Sequence, residues 1–233
     1  MSDSLFSPKH IIVLSKVDFI NIFICPYTWY LKNVEKIKLP PTGSMLKGAD
    51  LHNVMREINA RKNLEESRKY ISQQIESLRS FEKQLTNIIN FLEMRESNGD
   101  SVFPEYSEFR IEVLVENFKL VGIIDAIYNN TFGYEVFEYK KSFYKDIQSL
   151  LLETSFYSYI FSKYTNIKIA RMGLFSFETG EVIYGPFDEK VVLDRIREAF
   201  KVILEGNFEP KPSYENCKFC SYKNFCRYSV VGK

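Results

Sequence analysis

The chain has 233 residues, 45% of them hydrophobic and 26% charged, enough to bury a sizeable core as one large domain or two small ones. Its 31 Lys and Arg stand against 30 Asp and Glu, so composition does not announce a nucleic-acid binder and any such contact must come from a local patch. The N-terminus shows no cationic stretch followed by an apolar core, and no apolar run approaches the roughly 18 residues of a membrane span, so the expectation is a cytoplasmic protein without membrane contact. Reducing conditions there disfavour disulfides and make clustered cysteines metal ligands instead.

In chain order, Lys9 to Asn33 joins a β-branched run, "IIVLS", to a helix-like stretch in which Phe19, Ile22, Phe23, Pro26 and Tyr30 share a face. "LPPTG" then breaks the chain. From Gly48 a helical pattern carries His52, Met55 and Ile58. Ile71, Ile75, Leu78, Leu85, Ile88 and Leu92 follow at steps of three, four or seven, which predicts one long packing helix ending near "ESNGD". The pattern then switches to period two: "EFRIEVLV", "FKLVGIIDAIY" and "YEVFEYKKSF" read as strands, joined near Glu116 and Asn117 and by "NNTFG". A helix over "DIQSLLLETSFYSYIFSKY", a hairpin turning at "ETGE", and a helix from Glu189 to about Leu204 lead to a cysteine tail. Helices thus bracket a mostly antiparallel block of strands, a mixed α/β domain with a helical insertion.

Two constellations carry chemistry. A four-residue loop at Asn130 to Gly133 pairs Asn129 with Tyr134 and sets Asp125 opposite Glu138, with Lys140 on the same face opposite Ile123. Opposed Cβ atoms lie about 4.5 to 5.5 Å apart, where two like charges destabilise a sheet unless a cation lies between them. Apolar neighbours on both faces (Ile123, Ile127 and Val136; Ile124, Ala126 and Phe137) make the strands look buried, where unpaired carboxylates are expensive. The second constellation is C-x2-C-x5-C at Cys217, Cys220 and Cys226, with Cys25 as the distant fourth thiol. Four thiols complete a tetrathiolate site for zinc or an iron-sulfur cluster, and the spacing does not choose between them.

Asp125 followed by Glu138-Tyr139-Lys140 resembles the D…ExK core of the PD-(D/E)XK nuclease superfamily, and "GIIDAI" and "FEYKKS" resemble its RecB-like branch. His52 in "KGADLHNVM" matches that branch's upstream metal-site histidine. Glu153 and Tyr157 in "ETSFY" stand where the branch has Q-x-x-x-Y, a motif on the helix after the Lys strand. An ionised glutamate cannot donate as glutamine does, so Glu153 departs from the pattern's DNA-contacting role. The cysteine layout, with Cys25 in "CPYTWY", is similar to RecB-like nucleases that hold a four-iron four-sulfur cluster, among them the AddB nuclease module and the CRISPR-associated exonuclease of spacer acquisition.

The resemblance implies a restriction-endonuclease-like core with a mixed central sheet flanked by helices. It implies a single RecB-like domain over 1–233, a helical insertion over 45–98, and a knuckle over 207–228 closing onto Cys25. Asp125 and Glu138, with His52 and the Tyr139 carbonyl, would hold Mg2+ or Mn2+, hard cations that prefer oxygen ligands. The cation would acidify water and neutralise charge on a DNA phosphate, with Lys140 orienting the water or stabilising the transition state. Cys25, Cys217, Cys220 and Cys226 would hold a 4Fe-4S cluster that clasps the two ends of the chain. Basic residues interleaved with aromatics around it (Tyr222, Lys223, Phe225, Arg227, Tyr228) suit a single DNA strand, and equally suit shielding of the cluster. The implied partners are DNA, single-stranded or with frayed ends, and CRISPR adaptation proteins, with a homo-oligomer left open. A recombination or repair nuclease, viral or not, and a non-catalytic cluster-bearing DNA-binding adaptor are the alternatives.

Overall fold

The computed structural model describes residues 11–40, 43–143 and 146–231. In chain order the elements are β1 (Ile12–Ser15), α1 (Lys16–Ile24), α2 (Pro26–Asn33), α3 (Gly43–Arg61), α4 (Leu64–Ser77) and α5 (Glu82–Ser97). These are followed by β2 (Tyr106–Val115), β3 (Phe118–Asn130), β4 (Gly133–Lys140), α6 (Ile147–Thr165), β5 (Ile169–Ser176), β6 (Val182–Gly185), α7 (Glu189–Leu204) and α8 (Tyr214–Lys218). They form two compact units. One takes the described residues of Met1–Pro41, Glu112–Val121 and Glu189–Lys233, and the other those of Thr42–Ile111 and Gly122–Asp188. Among the described residues no helix is long and apolar enough to cross a membrane.

In the first unit β1 runs parallel to the start of β3, Ile12 beside Phe118 through Ser15 beside Val121. Ser15 and Asp18 close a capping box that starts α1, and Lys32 reaches back to the Asp18 carboxylate at 2.8 Å. The stretch read as one helix is two. Proline disfavours helical backbone in the residue before it, so Cys25 adopts φ −158°, ψ 100°, which ends α1 and starts α2 with Pro26 at its first turn. Phe19, Ile22 and Pro26 are buried, whereas Phe23 and Tyr30 are only half-buried. On α7, Val192, Ile196, Ala199, Phe200 and Ile203 fall on one buried face, and Phe200 stacks on Phe118 with ring centroids 3.6 Å apart.

In the second unit β4 is antiparallel to β3 and parallel to β5, and β6 is antiparallel to β5. Together with the parallel β1–β3 pair this makes the strands mixed rather than mostly antiparallel, because α6 serves as the crossover between β4 and β5. The long helix predicted after Gly48 is three helices. Lys62 at φ 52° ends α3, Asn63 caps α4 through the Glu66 N–H, and Leu78 (φ −116°, ψ 46°) turns the chain towards α5. The apolar stripe has the packing role expected of it: Ile71, Leu85, Ile88 and Leu92 are buried with Tyr128, Phe137 and Phe175 from the strands. The β3–β4 register is the one expected, Asn129 beside Tyr134 through Ala126 beside Phe137. Asn130 also pairs with Gly133, so the loop is Thr131 and Phe132 alone, with Gly133 at φ 122° supplying backbone that only glycine adopts easily. Ile124, Ala126, Ile127, Val136 and Phe137 are buried as expected, but Ile123 is 45% exposed, because it lies past the last β3–β4 pair.

Candidate active site

Asp125 stands one residue beyond the last β3–β4 pair, Ala126 with Phe137. Its Oδ2 accepts the Tyr139 backbone N–H at 2.8 Å, so a carboxylate fastens the two strands where they begin to part. His52 approaches from α3, with Nδ1 3.5 Å from Asp125 Oδ1. A small cleft is lined by His52, Met55, Arg56, Asn59, Glu108, Asp125 and Tyr139. Four of these residues come from α3 at offsets 0, 3, 4 and 7 from His52, which is one helix face. Arg56, Asn59 and Glu108 were not singled out from sequence. The helical spacing from His52 would have found the first two, whereas Glu108 reaches the cleft only through the tertiary fold.

Glu138 is 2% exposed and takes the Lys140 ammonium at 2.9 Å. The same ammonium is 2.6 Å from Glu153 Oε2 on α6. The departure from glutamine therefore turns inward: Glu153 is buried against Lys140. Tyr157, one turn further along α6, is also buried; burial first, and then the Glu138 and Asp125 carboxylates, push its hydroxyl well above the ordinary tyrosine value. Beneath the cleft the Tyr139 and Tyr128 hydroxyls meet at 2.8 Å. Burial pushes Tyr128 up to about 12, and burial together with Tyr128 raises Tyr139 well beyond its usual value.

The donor set suits a hard divalent cation. Asp125, Glu138 and Glu153 offer carboxylate oxygens against the Lys140 charge, and buried Asn59 Oδ1 has no hydrogen-bond partner in the cleft it lines. Among the described residues no three His, Cys, Asp or Glu side chains stand ready as a metal-holding group. Asp125 meets His52, and Glu138 meets Lys140 and Glu153, in two adjoining contacts. The Lys140 ammonium takes carboxylate oxygens of Glu138 and Glu153 that a cation could use.

The four thiols belong to the first unit and are all half-buried. The extended backbone at Cys25 puts its thiol at the α1–α2 joint, where it accepts the Lys211 N–H at 3.3 Å. The Asn216 side chain ties α8 to that joint, donating to the Lys211 carbonyl at 3.0 Å and the Ile24 carbonyl at 3.4 Å. Burial raises the Cys220 thiol, and Cys25, Cys226 and Cys217 raise it further, so the four are electrostatic neighbours. They too are not gathered as a ligating set. In the tail Phe225 is 59% exposed, whereas Tyr222 is half-buried.

A family model described as the PD-(D/E)XK nuclease superfamily matches residues 22–227. Among solved structures, the chain is similar to the crystal structure of a "Putative exonuclease" from Eubacterium rectale, with 14% identity and a TM-score of 0.53. That match covers 100% of this chain and 94% of the other. It is also similar to the crystal structure of SSO0001, with 13% identity, a TM-score of 0.47, and 96% and 90% of the two chains covered. A search of the curated proteins finds no match. The matched span runs through both the Asp125–Glu138–Lys140 strands and the Cys25-to-Cys226 frame, and on that ground the chain belongs to the PD-(D/E)XK nuclease superfamily.

Proposed function

We propose that the chain is an Mg2+- or Mn2+-dependent deoxyribonuclease that works as an exonuclease on single-stranded or frayed DNA. The observation that carries this is the meeting of Asp125, fastened to the Tyr139 N–H, with His52, beside a Lys140 ammonium shared by buried Glu138 and Glu153. When bound, a divalent cation would supply Lewis acidity and neutralise charge on the scissile phosphate. Asp125 and Glu138, with His52 and the Tyr139 carbonyl, are the residues that would hold it. Lys140 would orient the attacking water or face the charge that grows on the phosphate in the transition state. Arg56, on the His52 face of α3, brings a guanidinium to the cleft that can anchor a phosphate. Tyr157 stays protonated at neutral pH and keeps a donor beside the carboxylates.

The reading extends to Cys25, Cys217, Cys220 and Cys226 as ligands of a 4Fe-4S cluster in a cytoplasmic RecB-like domain. The pieces of that domain are an insertion over 45–98 and a knuckle over 207–228. CRISPR spacer acquisition is the pathway it fits best, with recombination or repair as the alternative. The C-x2-C-x5-C spacing of Cys217, Cys220 and Cys226, with Cys25 as a fourth soft thiol in the same unit, supports a metal centre there. Purification without oxygen should give a brown protein, and a colourless protein with stoichiometric zinc refutes the cluster.

End-labelled single- and double-stranded DNA, incubated with and without Mg2+ or Mn2+, tests the activity. Cleavage should need the cation, start from ends and prefer single strands. Lys140→Ala should lower the rate at least a hundredfold without altering the circular dichroism spectrum, and a variant that still cuts at the wild-type rate puts the active site elsewhere.

A further inference from the structure

Two carboxylates of different origin hold the Lys140 ammonium among the described residues. One, Glu138, sits two residues earlier on the same strand at 2.9 Å; the other, Glu153, projects from α6 at 2.6 Å. The side chains are 15%, 2% and 9% exposed in the order Lys140, Glu138, Glu153, so water screens these contacts poorly. An ammonium in such a place needs a counter-ion at all times, because leaving one partner of a buried pair alone is strongly destabilising. Yet Glu138 is also an oxygen donor for a divalent cation, and it cannot serve the cation and Lys140 with full strength together. Glu153 removes the conflict. Its position is set by a helix whose neighbouring Leu150, Thr154, Phe156 and Tyr157 are buried, so its carboxylate is fixed independently of the strand.

We propose that Glu153 is a positioning residue that retains Lys140 while the Glu138 oxygens pass to the divalent cation. This rests on the nuclease reading of the site and assigns a task to the residue by which this chain departs from the RecB-like pattern. Glutamine would be a weaker holder, since its carbonyl accepts a hydrogen bond but carries no charge. With the Glu153 charge removed, the shorter of the two ion pairs is lost and Lys140 weighs more heavily on Glu138, in competition with the cation.

The test is a double-mutant cycle read by Mn2+ binding in titration calorimetry, which needs no DNA and no turnover. Wild type, Glu153→Gln, Lys140→Met and the double variant are titrated with Mn2+. Glu153→Gln should weaken binding about tenfold, and the same change in the Lys140→Met background should alter it less than twofold. In DNA cleavage, Glu153→Gln should need more Mn2+ for half-maximal rate and recover most of kcat at saturation. A simple loss of negative charge near the cation would weaken binding equally in both backgrounds, and that outcome overturns the proposal. So does unchanged Mn2+ affinity in Glu153→Gln. If Lys140→Met does not fold, as judged by thermal melting, Lys140→Gln takes its place in the cycle. Wild type that binds no Mn2+ overturns the site reading and this proposal with it, whereas wild-type binding with an uncoupled cycle overturns this proposal alone.

Discussion

Glu135 is 0% exposed and takes three donors: Arg95 at 2.8 Å, Asn130 at 3.1 Å and Arg171. Arg95 is also 0% exposed, with its guanidinium 3.7 Å from the Tyr128 ring centroid, and Arg171 holds Asp100 at 2.8 Å. A pair buried this deeply need not stabilise the fold relative to apolar residues, but breaking it leaves a buried charge alone. Glu135→Ala should therefore lower stability by about 3 to 5 kcal/mol, visible as a shift of the urea midpoint. The buried tyrosines give a pH dependence. Tyr128 is raised in the fold to about 12, from an ordinary value of 10.0. The stability linked to that proton is full below pH 10 and is lost as pH rises towards 12. The urea midpoint should fall over that interval, and Tyr128→Phe should flatten the fall. At this scale the sequence was legible where alternation along a hairpin fixes neighbours, as with Asn129 beside Tyr134 and Ala126 beside Phe137. It was silent on Arg95 and Glu135, whose meeting depends on a helix and a strand 40 positions apart in the chain.

Between elements, the close seating of α6 on β3 positions Glu153 and Tyr157. A Cβ placed on Gly122 would lie 2.4 Å from a ring carbon of Tyr157 and 3.2 Å from Ile160. Gly122→Ala should cost about 1 to 3 kcal/mol in stability and should lower cleavage more than the distant Gly99→Ala, even at temperatures where both variants are folded. Gly173 meets the Phe137 ring in the same way, a Cβ there falling 2.1 Å from a ring carbon. The break between β2 and β3 was readable because period-two patterning ends at Glu116 and Asn117. The helix breaks at Lys62 and Leu78 were not, since neither residue is a helix breaker by type and the apolar stripe continues through both. The turn of Glu153 towards Lys140 was equally out of reach, because it follows from the packing of α6 and not from its own spacing.

Over the whole molecule, the proposed cluster would join Cys25 to Cys217, Cys220 and Cys226, two stretches of the first unit far apart in the chain. Cys220→Ala should make the tail cleavable by trypsin after Lys218 and Lys223 at protease levels that leave the wild type intact. Equal resistance would separate the cysteines from any fastening role. The first unit is assembled from three separate stretches of chain and the second from two, with β3 contributing to both. The order of synthesis then matters. Every described residue of the second unit, Asp125 to Tyr157 included, has been joined to the chain once Asp188 is made. The first must wait for the stretch that begins at Glu189 before Phe200 can meet Phe118 or Asn216 can meet the Cys25 joint. Long-range closure of that kind is slow, so a nascent chain should form the cleft around Asp125 before its cysteine frame.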